Sequence, residues 1–319
     1  MSILDFIAFF FYAILFYFIF SLQRKKIQNP TLRKHHRNAF WLKVIASFAY
    51  AIFVQYISRG DTTTLYFPEG YNLYKKVLED PSNLSYLFGS GTDIDASMLA
   101  NPNQYGYFKD ESNFMVIRLT GLFCLLCFGK YMVVNLIFGM IAFSGIWKLY
   151  MFFTNQFPEL HKQFAIGILY LPTFTFWSAG ILKDPISIAC LGWLTYSLYE
   201  LVIMKKGLIS NVLVILLSIY LFSIIKIYIL VAYLPAFILF LLLKNAMLIK
   251  NVLGKVLLVG GFLVGSIVGF SVISSTMQSA VVEYAGDDIG EGIVTYQQNY
   301  NRQNERADGA YFSLGVEFD

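Results

Sequence analysis

Long apolar runs, separated by single charges or short polar turns, set the rhythm of this chain. The first, Ile3 to Leu22, carries Asp5 as its only charge. Further runs are Phe40 to Ser58, Tyr131 to Phe153, Phe164 to Gly180, Ile186 to Met204, Leu208 to Ile225, Ile227 to Leu243 and Val252 to Ser275. Most approach or exceed the ~20 residues that cross a bilayer as a helix. Backbone polar groups in lipid must be satisfied within their own segment, so these runs are read as helices. The dyad alternation of an outer-membrane barrel is absent from them. The pattern predicts an all-α protein, a polytopic transmembrane helix bundle of about eight spans.

Three stretches break the rhythm. Residues 59–113 are polar, and within them Pro68 to Leu78 reads as a short amphipathic helix with proline in its first turn. Residues 89–107, rich in Gly, Asn, Asp and Tyr, read as irregular loop. Phe114 to Phe128 is apolar but only about 15 residues long, and it contains Arg118. From Thr276 the chain turns polar to its end at Asp319, with no closing element. That pattern points to a bundle over 1–275, including an outer loop domain at 59–130. The polar segment 276–319 would belong to a longer protein.

Charge orients the bundle. Between the first two spans, Gln23 to Arg37 holds six basic and no acidic residues, so the loop 23–38 is expected on the cytoplasmic side and the N-terminus outside. His35 and His36 belong to this basic loop and have no ligand partners nearby in sequence. The loop after the second span is net acidic and falls outside. Counting back from Lys244, Lys250 and Lys255 as cytoplasmic puts Lys205 and Lys206 inside, Lys183 and Asp184 outside, and His161 and Lys162 inside. This count holds only if Phe114 to Phe128 does not cross, so it is read as a re-entrant or interfacial helix on the outer face. The first run is no cleavable signal peptide, since it lacks a basic start and a small-residue cleavage site.

Composition adds little beyond this. The chain is 57% hydrophobic with a mean hydropathy of +0.59. Its net charge of +4 is small, and no nucleic-acid partner is implied. Cys124, Cys127 and Cys190 lie in apolar runs and read as packed residues. No clustered acidic motif marks a metal site, and no cofactor is implied. Gly261, Gly265 and Gly269 recur every four residues and read as a helix-packing face.

The candidate chemistry gathers on the expected outer surface. Phe176 to Pro185 carries Lys183 and Asp184 between two membrane-length runs, where charge needs water or a polar cavity. Arg59 and Asp61 follow the second span, Glu111 and Arg118 bracket the start of the short apolar helix, and Lys226 sits between two later runs. A carboxylate at such an interface can take a proton from a sugar hydroxyl. Lysine and arginine can hold a phosphate leaving group. Tyr66, Tyr71, Tyr74, Tyr86, Tyr105, Tyr107 and Trp177 supply aromatics for stacking on a sugar.

Three stretches carry a resemblance: Gly60-Asp-Thr-Thr-Thr-Leu-Tyr66, Asn113 to Gly129, and Trp177-Ser-Ala-Gly-Ile-Leu-Lys-Asp184. With the order of spans around them they resemble the GT-C class of integral-membrane glycosyltransferases, over roughly residues 40 to 200. The chain is similar as well to membrane proteins of bacterial exopolysaccharide and O-antigen loci. The resemblance implies transfer of a sugar from a polyprenyl-phosphate donor to a glycan or lipid-linked acceptor, at the outer face of a bacterial plasma membrane. It implies Asp61 as catalytic base. Arg59, Glu111, Arg118, Lys183, Asp184 and Lys226 are expected to bind substrate, with Lys183 and Arg118 receiving the released phosphate. Two departures stand out: Thr62 occupies the place of a second acidic residue, and one extra span precedes. Two rivals remain open: an O-antigen-type polymerase or ligase relying on Arg302 and Arg306, and a non-enzymatic transporter or assembly component. Asp61 and Asp184 can also be read as helix caps.

Overall fold

The computed structural model describes residues 3–246 and residue 260. Among these residues every regular element is helical. Met1–Phe237 forms one compact unit, described below, and a second unit begins at Ile238 within the last described helix. The expected span Val252 to Ser275, the Gly261, Gly265 and Gly269 face, the segment 276–319, and Arg302 and Arg306 lie outside the described residues.

Helix α1, Ile3–Lys25, and α2, Pro30–Tyr56, form a hairpin. The break falls where Asn29 accepts from Thr31 N–H and Leu32 N–H and Pro30 opens the next helix, a side-chain cap followed by a proline that loses no helical bond. A π-helical turn at Thr62–Tyr66 leads into α3, Phe67–Glu79, in good agreement with the amphipathic helix expected at Pro68 to Leu78. Short 3₁₀ turns and the four-residue α4, Tyr105–Phe108, occupy the loop expected at 89–107. Helix α5, Glu111–Cys127, then packs along α3, where Gly70 and Gly121 bring the two backbones together.

Helix α6, Tyr131–Gln156, is the centre of the unit, with most of its side chains buried. It runs antiparallel to α2: Tyr131 Oη donates to Ala51 O, Gly139 faces Ser47, and Trp147 packs on His36. After α7, His161–Phe164, comes a π-helical stretch, Ala165–Tyr170, and α8, Pro172–Trp177. Phe164 to Gly180, expected as one continuous span, is therefore interrupted. Pro172 cannot donate a backbone hydrogen bond, and it forces Leu171 into an extended conformation. The interrupted segment still follows α2 for much of its length: Tyr170 Oη lies 2.8 Å from His35 Nδ1, Phe176 packs on Tyr50, and Ile181 O accepts from Thr62 Oγ1 at 2.8 Å.

Helix α9, Lys183–Val202, runs parallel to α6, with Gly145 of one against Ala189 and Gly192 of the other and Phe152 beside Tyr199. Helix α10, Leu208–Ile225, folds back along α9, and α11, Ile227–Ala246, follows after Lys226. Four helices, α1, α2, α6 and α10, are long and apolar enough to cross a membrane. Large apolar side chains on α1 and α10, among them Phe11, Phe18, Leu213 and Leu216, are exposed, as a lipid-facing surface requires. These features suggest a membrane protein.

Helix α5 packs against α3 and also meets α6, α9 and α10. Its first turn meets the start of α9, where Lys183 Nζ donates to Ser112 Oγ at 2.6 Å. Near its far end, Leu126 O accepts from Tyr12 Oη at 2.6 Å, and Lys130 lies 3.8 Å from Asp5. Both contacts fall in the half of the bundle where α1 and α9 begin and α2 ends. Phe128, at φ 55°, and Gly129, at φ 68°, then turn the chain sharply into α6. A Cβ on Gly129 would lie 2.4 Å from the Tyr71 ring, so glycine is required there on two counts.

Candidate functional site

Residues 178–182 build the site, because they carry Lys183 and Asp184 and are held from three sides. Lys43 of α2 donates from Nζ to Thr175 O at 3.0 Å and to Ser178 Oγ at 2.5 Å. Asn135 of α6 accepts from Ile181 N–H at 3.1 Å. Thr62 donates to Ile181 O, and its hydroxyl lies 2.9 Å from Tyr50 Oη. Gly180 rests on the Tyr50 ring so closely that a Cβ would lie 1.9 Å from it.

From this turn Lys183 reaches the N-terminus of α5. Ser112 Oγ, which receives the Lys183 ammonium, in turn donates to Asp110 Oδ1 at 2.5 Å. Asp110 also caps α5 by accepting from Ser112 N–H at 2.7 Å. Asp61, Asp110 and Asp184 all lie close enough to act electrostatically on the Lys183 ammonium. Asp184 is paired directly with Lys226. Burial pulls against the charge of Lys226, but the Asp184 carboxylate outweighs it, and the lysine pKa is raised above its ordinary value. Beside the cluster Tyr66 Oη donates to Asn113 Oδ1 at 2.9 Å, which ties the π-helical turn after Asp61 to α5.

Asp61 is exposed and its side chain caps nothing, although it stands at the N-cap position of the Thr62–Tyr66 turn. The capping role open to it in the sequence is taken by Gly60 O, which accepts from Thr63 and Thr64. Asp184 caps nothing either, since Leu182 holds that position and the carboxylate faces Lys226. The structure thus brings Asp61, Lys183, Asp184 and Lys226 to one place.

Glu111 and Arg118 go elsewhere. Glu111 accepts from Ser90 Oγ and from Gly91 N–H at 3.1 Å. Arg118 donates to Gly89 O at 2.5 Å and lies over the Phe114 ring at 4.9 Å. Both hold the 89–91 turn onto α5. Arg59 is exposed just beyond α2. The aromatics divide too: Tyr66 and Tyr74 are buried beneath the loop layer, while Tyr107 and Trp177 stay exposed.

Lys43, Asn135, Asp110 and Ser112 were not singled out from the sequence. Lys43 and Asn135 carried a readable signal, each a polar group inside an apolar run, where membrane helices keep such groups for a partner. Asp110 and Ser112 carried none, because short polar residues before an apolar run are ordinary helix caps. The three cysteines are buried and unbonded. Among the described residues no three of His, Cys, Asp and Glu converge as a metal would need. His35 and His36 separate, His35 toward Tyr170 and His36 buried against Trp147.

The fold is that of a helical protein of membrane character, with a polar cluster where α2 ends and α9 begins. In comparison with known proteins, the chain matches no family model, no curated protein and no solved structure.

Proposed function

We propose that the protein is an integral-membrane glycosyltransferase of GT-C type, moving a sugar from a polyprenyl-phosphate donor to a glycan or lipid-linked acceptor. It works at the outer face of a bacterial plasma membrane, in cell-envelope polysaccharide synthesis. The observation that carries this reading is the Thr62 Oγ1 to Ile181 O bond of 2.8 Å, which joins the turn after α2 to the start of α9 and leaves the exposed Asp61 carboxylate within electrostatic reach of the half-buried Lys183 ammonium. Asp61 accepts the proton of the acceptor hydroxyl as its oxygen attacks the anomeric carbon. The bond from that carbon to the donor phosphate oxygen breaks, and the phosphate leaves with its charge stabilised by Lys183. A single displacement inverts the anomeric centre. In this reading the bundle has about eight spans, the N-terminus and the loop 59–130 are outside, and α5 lies on the outer surface. The course of α5 from Lys183 to Tyr12 supports that topology.

The test uses the full chain in lipid nanodiscs with a panel of polyprenyl-phosphate sugars. Asp61→Asn is expected to lower transfer by at least a hundredfold, within the range of general-base effects of about 10²–10⁴, without changing the melting temperature. Full activity of Asp61→Asn would overturn the mechanism. Loss in Arg302→Ala with none in Asp61→Asn would favour the polymerase or ligase.

A second reading rests on Lys43. A buried cation beside an interrupted helix is a feature of transporter sites, so movement of an anionic envelope precursor is the alternative. It requires Lys43→Met to stop transport in proteoliposomes, where Asp61→Asn does not.

A further inference from the structure

At the opposite end of the unit, where α1 ends and α2 begins, Tyr17, Arg24, Pro30, Arg33, Lys34 and Arg37 surround a cavity of about 280 Å³. Four of these six residues are cations. None has a carboxylate partner among the described residues, and no Asp or Glu occurs in the sequence between Asp5 and Asp61. Two of the cations are positioned by neutral groups. Arg24 Nη2 donates to Tyr17 Oη at 2.9 Å and its guanidinium lies 4.7 Å from that ring's centre. Arg33 donates from Nε and Nη2 to Ile27 O at 3.2 and 2.8 Å. The positive end of the long helix α2 opens onto the same place and adds to the field.

Arg33, Lys34 and Arg37 are exposed and Arg24 is half-buried, so the four cations are solvated, and their clustering makes the open pocket a place of positive potential that attracts an anion. The surroundings indicate what kind. Trp41 of α2 and Phe18 of α1, both exposed, pack against Tyr17 of the pocket, and Phe11, Ile14 and Leu22 are further exposed apolar side chains along α1. An anion with its charge in the cavity would lay an attached acyl chain along that surface. We propose that this pocket binds the phosphate head group of an anionic membrane lipid, with the acyl chains against α1. The site is independent of the sugar-transfer reading, because it shares no residue with the Asp61–Lys183 cluster. It joins α1 to α2 through the lipid, in a hairpin whose own helix-to-helix contact is sparse beside that of α6 with α9.

The experiment titrates the purified full chain, in neutral detergent, with short-chain phosphatidylglycerol, short-chain phosphatidylcholine and inorganic phosphate, following the melting temperature. Phosphatidylglycerol is expected to raise it in a saturable manner, with phosphatidylcholine and phosphate inert at the same concentrations. A basic side chain near an anionic lipid surface contributes about fivefold in affinity. Arg33→Gln/Arg37→Gln should therefore raise the half-saturating lipid concentration by roughly 25-fold. Lys25→Gln/Lys26→Gln, which removes two exposed charges outside the cavity, should change it by less than about threefold. Should the arginine pair fail to fold when changed, Lys34→Gln alone is expected to show about fivefold weakening. Equal weakening in the Lys25/Lys26 variant would replace the site with diffuse surface attraction. Equal stabilisation by phosphatidylcholine, or full protection by inorganic phosphate, would overturn the lipid assignment.

Discussion

Replacing Gly192 by alanine tests the contact on which the position of α9 depends. A Cβ there would lie 1.9 Å from Gly145 O and 2.4 Å from the Gly145 carbonyl carbon. Reaching even 3.0 Å from the oxygen requires 1.1 Å of movement (3.0 − 1.9), and the obstacle is backbone in mid-helix, which no rotamer change relieves. Overpacking of this kind costs about 1–3 kcal/mol, and the backbone clash puts Gly192→Ala at the upper end. The α6–α9 interface is the most extensive in the unit, so separating these helices also shifts Lys183 and Asp184 at the head of α9. The assay is the apparent melting temperature in detergent at fixed scan rate, with an expected fall of about 6 °C at ~2 °C per kcal/mol for a large chain. Gly167→Ala is the control. It lies in the Ala165–Tyr170 stretch, nothing comes within 4 Å of the place a Cβ would take, and helix propensity favours alanine there. If Gly192→Ala melts with Gly167→Ala, the close approach of α6 and α9 is wrong.

Three further substitutions probe other parts of the molecule. Lys43→Glu sets a carboxylate against Thr175 O in a buried position and is expected to cost about 3–5 kcal/mol. It should be read as loss of the monodisperse peak in size-exclusion chromatography, and a wild-type peak would place Lys43 elsewhere. Glu69 is buried and accepts from Ala100 and Asn101 N–H at 3.0 and 2.9 Å, so Glu69→Ala should cost about 3 kcal/mol and speed hydrogen exchange at those two amides. Unchanged exchange would sink that anchor. Asp184→Asn removes a half-exposed ion pair and should cost less than about 1 kcal/mol at neutral pH. Because the Lys226 pKa is raised on folding, the pair's contribution is present below the unfolded lysine value of about 10.4 and fades as pH rises through the folded one. The gap between wild type and variant should hold from neutral pH to about 10 and then close. A gap that widens above that pH would refute the assignment.

The membrane-type helices were legible from the chain because apolar length is a one-dimensional property. Ile3 to Leu22 and Tyr131 to Phe153 became α1 and α6 with only their C-terminal ends extended, and Leu208 to Ile225 became α10 with the same bounds. The α3 helix was legible for the same reason, through period and an opening proline. The interruption at Leu171-Pro172 was written in the proline, but the apolar content of the flanking residues masked it. What the tertiary structure alone decided was direction and company. Asp61, Lys183, Asp184 and Lys226 meet because α2 and α9 bring their ends to the same face, where a short turn held by Lys43, Asn135 and Thr62 presents Lys183. Glu111 and Arg118 lie on the same helix as Ser112 but were drawn to the 89–91 turn, because neighbouring positions on a helix face different ways. Hydropathy records how much of a segment prefers lipid. It holds no information on which side of a helix meets which neighbour, and that rotation chose the members of the cluster.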